Sequence, residues 1–169
     1  TEGKRREHEL QLFRQAVEAS GHSIYFTDAD GTIEYVNPAF EAVTGYPAEE
    51  AIGRTPQILK SGRHETDFYE ALWDTILSGD VWRRELWNSR RSGEPYVVDQ
   101  TIAPVEGPAG DIEHFVAVNA DITDRKRREG DLERFETIIQ ASGDAVYMLD
   151  PSGRFSFVND ALTRITGYE

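Results

Sequence analysis

The run Trp82-Arg83-Arg84-Glu85-Leu86-Trp87-Asn88 carries the side chains best suited to holding a ligand. In an extended strand, side chains alternate faces with period two, so Trp82, Arg84, Leu86 and Asn88 share one face. Trp82 offers a large apolar wall, and Asn88 an amide with two donors and an acceptor. Two readings of this face stand: a ligand-binding wall, or an ordinary core strand whose amide steadies a turn. Arg84 on the same face needs a carboxylate partner or fills ligand space itself. The four histidines, His8, His22, His64 and His114, show no paired metal-ligand spacing, so no metal site is expected. The absence of cysteine removes disulfides, thiolate ligands and thiol nucleophiles. Asp28/Asp30 and Asp121/Asp124 are neighbours in sequence only, and turn and cap roles suit them better than acid–base chemistry. No nucleophile–base constellation and no phosphate-cradling Gly loop occurs, so this chain is not expected to be an enzyme.

The elements that must position these residues follow from hydropathy period. Leu10, Phe13 and Val17 fall at helical spacing and predict a helix over 5–20. His22–Asp28 and Thr32–Asn37 flank Asp28-Ala29-Asp30-Gly31 and predict a hairpin. Short helices are expected at Pro38–Thr44, closed by Gly45, and at Ala48–Ile52. Thr66–Ser78 carries Phe68, Leu72 and Ile76 at i, i+4, i+8, an amphipathic helix. Strands are expected at Val81–Asn88, Tyr96–Pro104 and His114–Ala120. Helix, two strands, several helices and three strands close most naturally as an α+β fold: a five-stranded antiparallel sheet with helices on one face.

The chain repeats itself at an offset of 122, with 13 identities across the 34 positions from Phe13/Phe135 to Tyr46/Tyr168. That spacing fits two similar domains in series better than a solenoid. The expected organisation is an N-terminal helix over 1–20, a domain over 21–123, a linker helix over 124–141 that also opens the next repeat, and the start of a second, truncated domain over 142–169. In the linker, Leu132, Phe135, Ile138 and Ile139 form a narrow seam, which suits a two-stranded coiled coil; a plain solvated linker is the alternative. Leu10, Phe13, Val17, Leu132 and Phe135 are therefore the expected contacts of a parallel homodimer. In it the N-terminal helix would cover the outer sheet face, where Val116 and Val118 project. Gly130 disfavours an unbroken linker helix by about 1 kcal/mol relative to Ala.

Taken together, Tyr35-Val36-Asn37-Pro38-Ala39-Phe40, Thr44-Gly45-Tyr46, Ile52-Gly53-Arg54, Ser92-Gly93-Glu94-Pro95-Tyr96 and the closing Asp121-Ile122-Thr123 closely resemble a PAS domain. The resemblance covers 10–123, and 132–169 resembles the opening of a second copy. It implies a sensory module of a signalling protein, of histidine kinase (two-component) or transducer type, with the output domain in the same chain. It also implies that Asp121 and Thr123 join the last strand to an output helix; a carboxylate and a hydroxyl there can cap that helix. Gly53–Lys60 resembles the flavin loop of LOV photoreceptors, but Pro56 stands where those carry their cysteine, so no photoadduct forms. Gly62-Arg63-His64 and Trp82 through Asn88 resemble flavin PAS domains of aerotaxis and nitrogen-fixation redox sensors, and Asn119 aligns with the last-strand amide position that reads flavin in LOV-type domains. Trp82, Asn88, Asn119, Arg63 and His64 are thus the residues this resemblance assigns to FAD or FMN; another small ligand, or a core filled by its own side chains, are the alternatives. Relatives that bind heme place a histidine in the helix before the third strand. Thr66–Ser78 has none, so no heme is expected.

Charge narrows the partners. Eighteen Lys plus Arg stand against 31 Asp plus Glu, a formal net charge of −13. Phosphate backbones and anionic membranes are held by cations, so neither nucleic acid nor direct membrane insertion is expected. No apolar run reaches the roughly 18 residues of a membrane span, which fits a soluble cytoplasmic protein. Only Lys4, Lys60 and Lys126 are lysines. An acid-rich, Lys-poor surface suits a halophilic setting, where salt screens self-repulsion, although Arg-favouring codons produce the same bias.

Overall fold

The computed structural model describes residues 1–168. Its contacts divide the chain into two compact units, one spanning Thr1–Thr123 and one beginning at Asp124.

The first unit opens with α1 (Glu2–Ala19) and the hairpin β1 (Ser23–Asp28) and β2 (Ile33–Val36). Asp28 shapes the turn: its Oδ1 accepts from the backbone N–H of Asp30 and Thr32, both at 2.9 Å, an Asx-type turn. Gly31, at φ 88°, takes the left-handed conformation that the turn requires. Asn37 then caps α2 (Pro38–Thr44) by accepting from Phe40 N–H, and Gly45 ends that helix in the left-handed conformation at φ 78°. After α3 (Ala48–Ala51), a 3-10 turn (Pro56–Leu59) and α4 (Thr66–Leu77) come the long strands β3 (Trp82–Ser89), β4 (Pro95–Glu106) and β5 (Ile112–Asp121).

The sheet is antiparallel with order β2-β1-β5-β4-β3, as the α+β expectation held. Tyr25, Ile33, Phe40, Leu72, Ile76 and Phe115 build the core between its inner face and the helices. A smaller cluster of Leu86, Tyr96 and Val98 lies beside it. Both sheet edges are partly capped. Ile33 N–H donates to Arg54 carbonyl and Gly53 N–H to Ile33 carbonyl on β2; on β3, His64 Nε2 accepts from Trp87 N–H at 2.9 Å. Satisfying these edge groups shortens the open template for edge-to-edge association.

Three elements differ from expectation. The 3-10 turn at Pro56–Leu59 was invisible because four residues carry too little period. β4 extends to Glu106 because β5 supplies a partner as far as Ile112. α1 buries none of its residues, so within one chain it does not cover the outer sheet face.

The second unit holds the body of α5 (Thr123–Ala141), β6 (Tyr147–Leu149) paired with β7 (Phe155–Val158), and α6 (Asp160–Thr166). α5 runs unbroken through Gly130, as one glycine among good helix formers allows. No helix among the described residues is long and apolar enough to cross a membrane.

Candidate functional site

The inner sheet face and the helices opposite line a partly open cavity of about 150 Å³. Tyr25, Ile102, Phe115 and Ala117 line it from the strands, and Leu59, Leu72 and Ile76 from the helical side. Asp30, Lys60 and Trp73 stand at its partly exposed rim. Asn88, Gln100 and Tyr69 are among the polar side chains that line this largely apolar space. Gln100 Nε2 donates to Asn119 Oδ1 at 3.0 Å, which fixes the amide and turns Gln100 Oε1 into a buried acceptor without a partner. The Tyr69 hydroxyl is also buried without a partner, while Lys60 Nζ lies 3.9 Å from its ring centroid. Burial raises the Tyr69 and Tyr25 hydroxyl pKa values, so both are neutral donors.

The residues singled out from sequence divide between this cavity and its surroundings. Asn88 lines it. Asn119 is buried one layer back and holds Gln100. Trp82 is core rather than cavity wall: its ring packs edge-on to Phe68 at 5.4 Å, because α4 delivers Phe68 to that end of β3. Arg84 neither fills the cavity nor finds a carboxylate there. It is exposed, with its guanidinium 5.3 Å from the Trp82 ring, as a long side chain on an edge strand can reach water. Arg63 lies over the Trp87 ring at 4.1 Å and His64 stacks on Phe68 at 4.4 Å, both outside the cavity. Gln100 was missed, yet its signal was present. It interrupts the buried alternation Tyr96, Val98, Gln100, Ile102, and a polar residue at a core position needs a reason.

The strand-to-helix junction is built as a cap. Asp121 Oδ1 accepts from Thr123 N–H at 3.0 Å and from the Thr123 hydroxyl. Thr123 Oγ1 in turn accepts from Val97 N–H at 3.1 Å. Arg90, on the β3–β4 turn, donates to Asp121 Oδ2 at 2.8 Å and to the Val43 carbonyl of α2. Partial burial opposes ionisation of Asp121, but hydrogen bonds from Thr123 and Arg90 and the Arg90 charge outweigh it. They hold the carboxyl below its ordinary value. The expected dimer-seam residues Leu10, Phe13, Leu132 and Phe135 are all exposed, and Val17 is half-buried.

Known proteins share this architecture. A family model of the PAS fold matches residues 17–127, and another PAS-fold model matches residues 133–169. A nitrogen fixation regulatory protein of Klebsiella oxytoca is 37% identical over 130 residues, covering 77% of this chain and 26% of its own length. A blue-light-activated histidine kinase of Brucella anthropi is 29% identical over 118 residues, 68% of this chain and 24% of the kinase. Among solved structures, an RNA-binding light-oxygen-voltage receptor superposes with a TM-score of 0.66 at 27% identity, covering 76% of this chain and 36% of the receptor. The chain thus spans about a quarter of the length of the curated relatives it matches. Sheet order and family match agree, and the chain belongs to the PAS fold family.

Proposed function

We propose that residues 21–123 are the sensory input of a multidomain signalling protein of histidine kinase or transducer type, and that the cavity binds a small planar ligand. That ligand is FAD or FMN, and Asp121 and Thr123 pass the ligand's state into α5. The observation that carries this reading is Gln100 Oε1, a buried acceptor without a donor in the wall of an apolar cavity. Such a group costs about 1–3 kcal/mol, and a ligand N–H would relieve it. The imide edge of a flavin, an N–H between two carbonyls, matches an acceptor at Gln100 beside an amide at Asn88. Leu72, Ile76 and Phe115 would hold the apolar ring.

A cavity of about 150 Å³ holds a single ring as it stands, since a cavity of about that size takes benzene. A three-ring ligand requires Tyr69, Trp73 or Lys60 to swing outward at the rim. Bound flavin would supply visible absorbance and redox chemistry. The chain's own contribution is to bind and orient it and to exclude water. With Pro56 where a photoreceptor thiol would stand, illumination is expected to leave the spectrum without adduct-type bleaching.

The test is the absorption spectrum of freshly purified protein, followed by titration with FAD, FMN and riboflavin. A band near 450 nm, or saturable binding weakened by Asn88→Ala and by Gln100→Leu, supports the reading. Colourless protein that binds none of the three overturns the flavin assignment.

A second reading, a ligand-free module that dimerises and relays, draws on the exposed apolar side chains of α1 and α5: Leu10, Phe13, Leu132 and Phe135. Sedimentation over a range of concentrations tests it. A dimer that Leu132→Glu weakens supports it, and a monomer at every concentration defeats it.

A further inference from the structure

The cavity and the junction are joined by a chain of buried contacts that neither the cavity nor the junction explains alone. Asn88, on the cavity wall, is the directly opposed cross-strand partner of Tyr96, and its side-chain amide acts on the Tyr96 hydroxyl, favouring the ionised form against the burial that raises its pKa. Tyr96 is almost fully buried and does not line the cavity. The Arg90 guanidinium lies over its ring, 4.3 Å from the centroid. The same guanidinium binds Asp121 Oδ2 at 2.8 Å and the Val43 carbonyl, and Asp121 Oδ1 holds the start of α5 through Thr123. One tyrosine therefore touches an amide that faces the cavity and a cation that clamps the output junction.

We propose that Tyr96 is a positioning residue coupling the cavity to the Asp121–Thr123 junction. A ligand that engages the Asn88 amide changes its cross-strand contact with Tyr96 and the Tyr96 hydroxyl. The resulting shift of the ring alters the seat of Arg90 and so the strength of its pair with Asp121. Cation–ring contacts and charge-assisted hydrogen bonds both depend steeply on geometry, and a buried ring cannot move without its neighbours. The ligand-dependent half of this inference rests on the binding reading above. The coupling itself does not, because it is a property of the folded side chains. The physical warrant for such a path is measured coupling, not adjacency.

The experiment therefore has two arms. In the first, the ligand-free chain is unfolded in urea as a double-mutant cycle of Asn88→Ala and Asp121→Asn, run once with Tyr96 and once with Tyr96→Phe. Tyr96→Phe keeps the ring beneath Arg90 and removes only the hydroxyl. With Tyr96 present, the two sites should be non-additive by about threefold or more in the unfolding constant. With Tyr96→Phe they should be additive within about twofold. Additivity in both backgrounds overturns the proposal, and so does equal non-additivity in both. The second arm uses FMN and FAD as probes and reads amide exchange at Thr123–Arg125. Tyr96→Phe should leave affinity within about threefold and abolish most of the ligand-induced change in exchange. An undiminished change in Tyr96→Phe also overturns the proposal. If no flavin binds the parent chain while the first arm shows Tyr96-dependent coupling, the binding reading fails and the coupling stands.

Discussion

The hairpins β1–β2 and β6–β7 carry the same hydrogen-bond devices and opposite burial. Asn37 Oδ1 accepts from Ile24 N–H and Phe40 N–H, and its Nδ2 donates to the Val17 and His22 carbonyls. Asn159, 122 positions on, repeats all four bonds with Val146, Leu162, Ile139 and Asp144. Asp28 and Asp150 shape the two turns alike, and Gly45 and Gly167 close the following helices in the same left-handed conformation. Yet Tyr25 is 3% exposed and Tyr147 54%, and Ile33 is 1% exposed against 64% for Phe155. β1 gains its burial from β5 on its other side, whereas β6 and β7 pair only with each other among the described residues. Local polar devices reproduce the hairpin's shape; the hydrophobic core comes from strands about 60–90 residues away.

The widest gap between the two hairpins should appear in amide hydrogen exchange. Inner-sheet amides of β1, β4 and β5 open only with the whole unit, whereas an isolated two-stranded hairpin is marginal in water. Protection in Tyr25–Thr27 should exceed that in Tyr147–Leu149 by about a thousandfold or more. Comparable protection would mean that β6–β7 gains a core that the comparison denies it.

Side-chain truncation sharpens the same contrast. Ile33→Ala removes a fully buried side chain and should cost about 2–5 kcal/mol in urea unfolding. Phe155→Ala, at the matching position, should fall within about 0.5 kcal/mol. Asn37→Ala and Asn159→Ala invert the lesson. Each removes the same cap and bridge, so each should melt its own hairpin's start, with a cap loss alone worth about 0.5–2 kcal/mol. For Asn37 the loss should register in global unfolding. For Asn159 it should appear as loss of the β6–β7 cross-strand signals in nuclear magnetic resonance. A silent Asn159→Ala would show that the polar devices do not hold the second hairpin.

This division also explains what the sequence disclosed. Turn and cap residues such as Asp28, Asn37 and Gly45 act over a few positions, so both hairpins and the short helix α2 were legible from residue type. The sheet as a whole was legible too, because five strands with helices between them have few closures. The cavity was harder. Trp82 and Asn88 share a strand face, and alternation cannot tell which of them meets α4 and which meets the empty space; the placement of Phe68 decides that. Gln100 was passed over because its role depends on Asn119, its partner on the neighbouring strand. Arg63 and His64 were assigned by resemblance of a loop, and loops are aimed by what they close, here the free edge of β3.

The smallest expected effect concerns acid, and again the units differ in kind. Asp150 is held below the ordinary carboxylate value by hydrogen bonds from the Ser152 hydroxyl and from the Arg154, Ser152 and Gly153 backbone, with slight desolvation against them. Asp121 is held down despite its burial, by Thr123 and Arg90. A carboxyl whose pKa is lower folded than unfolded contributes stability in full above its unfolded value, near 3.8 for both groups. That contribution is lost as pH falls through the lower folded value. Both contributions should therefore be intact at neutral pH and fade only below about pH 4. Salt separates the two. The Arg90 charge contributes at Asp121, whereas short hydrogen bonds dominate at Asp150, so raising ionic strength should move the Asp121 titration upward more than that of Asp150. Carboxyl chemical shifts followed against pH at low and high salt read both directly. Arg90→Gln should raise the Asp121 titration toward its ordinary value and leave Asp150 unchanged. A salt-insensitive Asp121 would mean that hydrogen bonds from Thr123 and Arg90, and not the Arg90 charge, hold it down.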